Sequence, residues 1–129
     1  MKRFESKEDY LEKILQLSKE KDGVHSIDIA RAMNFSKPSV SVAMSKLKEE
    51  KLIEIDKEGH IHLTPQGLEI AEKTLEKHEL LAQMFMNLGV SEQVAYEDAC
   101  RVEHDLSDET WKAVKKHAEL QKKSYQIRK

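Results

Sequence analysis

The sequence predicts a mainly α-helical protein, with an N-terminal winged helix-turn-helix followed by a C-terminal helical part. Three observations carry this. Apolar residues recur at helical spacing through most of the chain, and two prolines and four glycines leave few turns. Two short helical segments, each opened by a serine, flank the turn Asn34-Phe35. Behind them, residues 52–55 and 60–63 alternate apolar and polar around Lys57-Glu58-Gly59, the pattern of a hairpin.

The first helix is expected to start at Ser6, with Asp9 three residues on as a variant capping-box partner. Its inward stripe is Tyr10, Leu11, Ile14, Leu15 and Leu17, and it ends in the charged run before Asp22-Gly23. Asp9 and Glu12 lie at i, i+3, a carboxylate pair on one face. Read alone, such a pair is also what a solvated N-terminal turn looks like. Ser26 is the expected N-cap of a short helix over 27–33.

Ser36 caps the third helix, and Pro38 falls in its first turn, where its missing N–H costs nothing. Val40, Met44 and Leu47 face inward. The outward face carries Ser36, Lys37, Ser39, Ser41, Ser45, Lys46 and Lys48, and no acidic residue occurs from Arg31 to Lys48. Small hydroxyls approach phosphates and base edges closely, and lysines neutralise phosphates. Ser36, Lys37, Pro38, Ser39, Ser41, Lys46 and Lys48 are therefore the expected DNA-binding residues. On the wing, His60 and His62 share a strand face; polar surface near a DNA backbone suits them better than a metal pair, since no further ligand is adjacent in sequence.

Thr64-Pro65 opens a long helix over about 65–87, whose apolar stripe is wider than a small monomer requires. Gly89 ends it, and Ser91 caps the next, which is expected to run through Cys100 to His104. Ser107 opens a last helix carrying Trp111, Val114, Ala118 and Leu120. The domain reading is residues 1–63 as the winged helix-turn-helix and 64–129 as the helical part, linked by the long helix.

A formal net charge of −2 excludes a global polycation, so any nucleic-acid contact must come from a local patch. The single cysteine, Cys100, excludes an intrachain disulfide and fits a reducing compartment. MKRFESKEDY has no apolar run behind its basic residues, and no stretch approaches the roughly 20 apolar residues of a membrane span. A soluble, cytoplasmic protein is expected, with no membrane partner.

Cys100, Glu103 and His104 fall at i, i+3 and i+4. On a helix this sets a thiol, a carboxylate and an imidazole on one face, with Cβ atoms about 5–6 Å apart, able to converge on one divalent transition metal. A half-buried cysteine beside a surface glutamate and histidine would give the same string. HExxH, a nucleophile constellation and a glycine-rich loop are all missing, so no enzyme is expected.

Taken together, the helix with Asp9 and Glu12, the winged helix-turn-helix, LTPQGLEIAEKTLEKHELL and EDACRVEHDLSDET resemble the diphtheria toxin repressor family of metal-dependent transcriptional regulators. The two-domain layout is similar to its manganese transport regulators. The resemblance spans nearly the whole chain. It implies pairing of two subunits through the C-terminal helices, and a metal held between the first helix and the dimerisation domain. The implied ligands are Asp9, Glu12, His78, Cys100, Glu103 and His104. Cys100 falls where the iron branch has Cys and the manganese branch has Glu, so the implied cofactor is Mn²⁺ or Fe²⁺; carboxylates suit the harder ion and a thiolate the softer ones. Ala82 and Tyr96 stand where the iron branch has an ancillary carboxylate and histidine, so that ancillary site is not expected here. Val42 replaces a polar residue of the iron branch on the recognition helix.

The implied function is a metal-dependent repressor of metal-uptake genes, in which the ion fixes a homodimer for a palindromic double-stranded DNA operator. The alternative is a winged-helix regulator answering to a non-metal ligand or a partner protein, whose DNA binding would be indifferent to a chelator.

Overall fold

The computed structural model describes residues 7–128, with side chains through residue 120. The expected cap at Ser6 lies outside the described residues. The elements run α1 (Lys7–Glu20), α2 (Ser26–Met33), α3 (Lys37–Glu49), β1 (Ile53–Ile55), β2 (Ile61–Leu63), α4 (Pro65–Asn87), α5 (Glu92–Val102) and α6 (Asp108–Arg128). The chain divides into two compact units, one through Leu75 and one from Glu76, so the division falls inside α4.

In the first unit α1, α2 and α3 pack on one another, and α1 and α3 pack on the two-stranded sheet. β1 and β2 are antiparallel, with Ile53 opposite Leu63, Glu54 opposite His62 and Ile55 opposite Ile61. Val24, just before α2, bridges to Ile61 and extends the sheet by one pair. The alternation read from the sequence puts Ile53 and Ile61 inside and Glu54 and His62 outside. Tyr10, Leu11, Ile14, Ile29, Val40, Met44, Leu47 and Ile53 are all at least 98 % buried. They form one core with the first turns of α4 through Ala71.

The turn between α2 and α3 is set by Asn34, whose φ of 58° is left-handed, a conformation asparagine tolerates. Ser36 caps α3 by accepting from the Ser39 N–H at 3.3 Å. α2 is capped one residue earlier than expected. His25 is its N-cap, and the Asp28 carboxylate accepts from the His25 N–H at 2.8 Å, which leaves Ser26 inside the helix. Thr64 caps α4 by accepting from Gly67 N–H, and Gly67 is needed because a Cβ there would run into the Leu52 carbonyl.

The second unit contains the rest of α4 with α5 and α6. Its buried apolar residues are Leu81, Ala82, Ala95 and Ala99, with Phe85, Met86, Tyr96, Val102 and Val114 partly buried around them. Gly89, at φ 104°, turns the chain out of α4. Ser107 accepts from the Thr110 N–H at 3.1 Å and opens α6. No helix among the described residues is long and apolar enough to cross a membrane.

Candidate metal centre and DNA-binding face

α5 ends at Val102, two residues before the expected end of the helix, so Glu103 and His104 lie past it. Glu103 keeps helical dihedrals (φ −58°, ψ −30°) as the C-cap, and its N–H donates to the Ala99 carbonyl. The expected i, i+3, i+4 geometry therefore survives the shorter helix. A Cys100 sulfur, a Glu103 oxygen and a His104 nitrogen lie within 4.8 Å of one another.

Glu103 is the centre of this cluster. Its side chain is 1 % exposed, with His78 Nδ1 at 3.6 Å from one oxygen and His104 Nε2 at 3.6 Å from the other. Neither Glu103 oxygen accepts a hydrogen bond among the described residues. A buried carboxylate with no hydrogen bond carries a desolvation cost that a cation or a proton must offset. The C-terminal end of α5 is also the negative end of its dipole, which favours a positive charge there. A thiol, a carboxylate and two imidazoles form a donor set that fits a divalent transition metal rather than Mg²⁺ or Ca²⁺.

His78 comes from α4 and is held by Tyr96 of α5, whose ring stacks on the imidazole at 5.4 Å between centroids and 28° between planes. The Tyr96 hydroxyl donates to Glu79 at 2.8 Å. That bond, more than burial, raises the Tyr96 pKa above 10 and keeps the phenol protonated. The sequence shows Tyr96 only as the occupant of a lost ancillary position. Its packing makes it an orienting neighbour of His78, a role that i, i+18 spacing across two helices does not reveal.

Asp9 and Glu12 belong to the first unit, one turn apart on α1; Glu12 is buried and Asp9 half-buried. A buried carboxylate inside the hydrophobic stripe of Leu11 and Leu15 is not a solvated helix face.

On α3, Lys37, Pro38, Ser41, Lys46 and Lys48 are exposed, Ser36 is exposed at the cap and Ser39 half-buried. Lys37, Lys46 and Lys48 make no ion pair among the described residues, so their charges face outward uncompensated. The Ser36 hydroxyl is engaged locally, donating to Ser39 Oγ at 2.9 Å.

The wing histidines meet a third group that the sequence did not single out. Asp56 Oδ2 lies 2.9 Å from His62 Nε2 and 3.5 Å from His60 Nδ1, while Oδ1 accepts from the N–H groups of Glu58 and His60. The His62 contact and the two backbone donors lower the Asp56 pKa to about 2. Asp56 thus ties both ends of the hairpin turn.

The metal-binding and dimerisation domain of iron-dependent repressors matches residues 64–123, and their N-terminal DNA-binding domain matches residues 3–61. The chain belongs to the iron-dependent repressor family. A relative within this family is the HTH-type transcriptional regulator MntR of Geobacillus kaustophilus, 36 % identical over 115 residues, covering 89 % of this chain and 79 % of that protein. Among solved structures, the manganese regulator SloR is similar with a TM-score of 0.79 and 33 % identity, over 89 % of this chain and 54 % of that one. A manganese-dependent transcriptional repressor in complex with manganese aligns with a TM-score of 0.80 and 25 % identity, over 88 % and 52 %. The chain thus spans about half the length of these solved family members. The relatives are transcriptional regulators rather than enzymes.

Proposed function

We propose that this iron-dependent repressor family member is a cytoplasmic, metal-activated repressor of metal-uptake genes. Residues 1–63 bind DNA, and residues 64–129 bind metal and dimerise. The observation that carries the reading is Glu103: a buried carboxylate with no hydrogen bond, between two imidazoles and beside a thiol.

In this reading Mn²⁺ or Fe²⁺ is held by Cys100, Glu103, His104 and His78 of the second unit, together with Asp9 and Glu12 of α1. The ion would supply coordination bonds and positive charge. Glu103, buried with no hydrogen bond among the described residues, would gain most from it. His104 and His78 bind as neutral imidazoles, and Tyr96 fixes the plane of His78. Donors drawn from both ends of the chain would let the ion tie α1 to the dimerisation part. Such a tie shifts a population only if the DNA-competent arrangement binds the ion more tightly. The homodimer then offers two α3 helices to two half-sites of a palindromic operator. Ser36, Lys37, Pro38, Ser39, Ser41, Lys46 and Lys48 form the DNA-binding face.

The test is binding to duplex DNA, selected from a random library, with each of Mn²⁺, Fe²⁺, Co²⁺ and Zn²⁺ against a chelator, under anaerobic reducing conditions that protect Cys100. At least one ion should tighten binding, and His104→Ala should abolish the tightening. Binding indifferent to chelator overturns the reading. Lys46→Ala should reduce the slope of log affinity against log salt by roughly 0.9 per subunit, as expected for one lost phosphate contact. An unchanged slope removes Lys46 from the DNA-binding face.

A further inference from the structure

On α3 the buried residues Val40, Met44 and Leu47 mark one side of the helix. Val42 stands two residues from Val40, about 200° round the axis at roughly 100° per residue, so it points directly away from the core. It is 57 % exposed, more than any other large apolar side chain described in the first unit. Its surroundings belong to the outward face. Pro38, Ser39 and Lys46 lie one turn away, and with Val42 they line a groove that also takes in the core residues Tyr10 and Leu47. The one acid in that groove, Glu50, is paired with Lys7 at 3.0 Å.

An isopropyl group has no donor or acceptor, so it cannot hydrogen-bond a phosphate or a base edge. In the major groove only thymine presents an apolar substituent, its 5-methyl. A β-branched side chain on a helix is held almost entirely in one χ1 rotamer, so its methyls are presented with little entropy left to lose. Ser39, Ser45 and Lys46 around it supply the polar contacts that would hold the helix at that depth.

We propose that Val42 is a sequence-reading residue that packs against the 5-methyl group of a thymine in each operator half-site. The assignment rests on α3 being the recognition helix, as argued above. It makes Val42 an apolar reader beside Pro38 on a face that otherwise carries lysines and hydroxyls.

The test begins with duplexes selected from a random library by wild-type protein with whichever of Mn²⁺, Fe²⁺, Co²⁺ and Zn²⁺ tightens DNA binding. Each thymine of the selected site is then replaced by deoxyuridine, which removes the methyl and leaves the hydrogen-bonding edges unchanged. Wild type should lose about fourfold in affinity at one position per half-site, the effect of one buried methyl-sized group. Val42→Ser should bind more weakly than wild type and show no loss at that position. It should keep a thermal transition close to that of wild type, because residue 42 is mostly exposed and is not one of the buried core residues.

Indifference of wild type to every replacement overturns the inference and leaves metal-dependent DNA binding intact. A methyl dependence that persists undiminished in Val42→Ser also overturns it and moves the contact to another residue. If wild type selects no sequence with any of these ions, the recognition-helix reading fails and the assignment of Val42 falls with it.

Discussion

The two units bury very different interiors. The first assembles Tyr10, Leu11, Ile14, Ile29, Val40, Met44, Leu47 and Ile53 into a full-sized apolar core. Among the described residues the second fully buries Leu81 and three alanines, with larger apolar side chains such as Phe85 and Val114 only partly buried, and leaves Leu88 at 79 %, Leu120 at 57 % and Val94 at 44 % exposure. Alanine buries little area, so the second interior contributes far less hydrophobic stabilisation per residue. What it holds instead is a buried carboxylate and two histidines. The contrast sets a unit held by a large apolar core beside one whose described interior is small residues around a buried carboxylate. A ligand that binds only the native state of such a unit adds stability that rises with the logarithm of its concentration.

The largest expected effect tests the first half of that contrast. Ile14 is fully buried in the first core. Ile14→Ala should cost about 2–5 kcal/mol, the range for emptying a packed core position. In a denaturant melt followed by circular dichroism, the loss should persist at saturating Mn²⁺ and at any protein concentration. Restoration by dimerisation or metal would break the comparison.

A smaller change of opposite sign is expected in the second unit. Glu103→Gln removes the charge but keeps the shape. Without metal it should stabilise the protein by about 1 kcal/mol, because an unsatisfied buried charge becomes a neutral amide. With Mn²⁺ the order should reverse, since wild type gains the ligand and the variant does not. Thermal melts of both proteins with and without Mn²⁺ read this crossing. A variant less stable than wild type in metal-free buffer would show that Glu103 is structurally satisfied.

The smallest effect is local to the wing. Asp56 titrates near 2 because His62 and two backbone N–H groups favour its anion. A depressed carboxylate contributes stability that is present above its ordinary value of 3.8 and is lost as pH falls through about 2. NMR should place its midpoint near 2, and His62→Ala should move it up toward 3.8. A midpoint insensitive to His62 would assign the shift to the backbone donors alone.

Much of this was legible from residues close in sequence. Thr64-Pro65 and Gly89 bracket α4, because a cap, a proline at the first helical position and a left-handed glycine each fix backbone locally. The carboxylate pair on α1 and the Cys100, Glu103, His104 string were visible as spacing. The end of α5 was not, since nothing near Val102 is a glycine or proline and Glu103 retains helical dihedrals. The α2 cap was misplaced because Asp28 reaches back to the His25 N–H, a contact that competes with a serine cap only once the backbone is set. Asp56 with its two histidines, the edge contact of the His25 and His60 rings, and Tyr96 on His78 all join residues from separate segments. No local pattern encodes such contacts.

As proposed above, one metal ion would take ligands from both units. Amide hydrogen exchange with and without Mn²⁺ tests it most directly. Exchange should slow on Mn²⁺ addition both in α1 around Asp9 and Glu12 and at the end of α5 around Cys100 to His104, with both effects lost in His104→Ala. Slowing confined to the end of α5, with α1 unchanged, would contradict it.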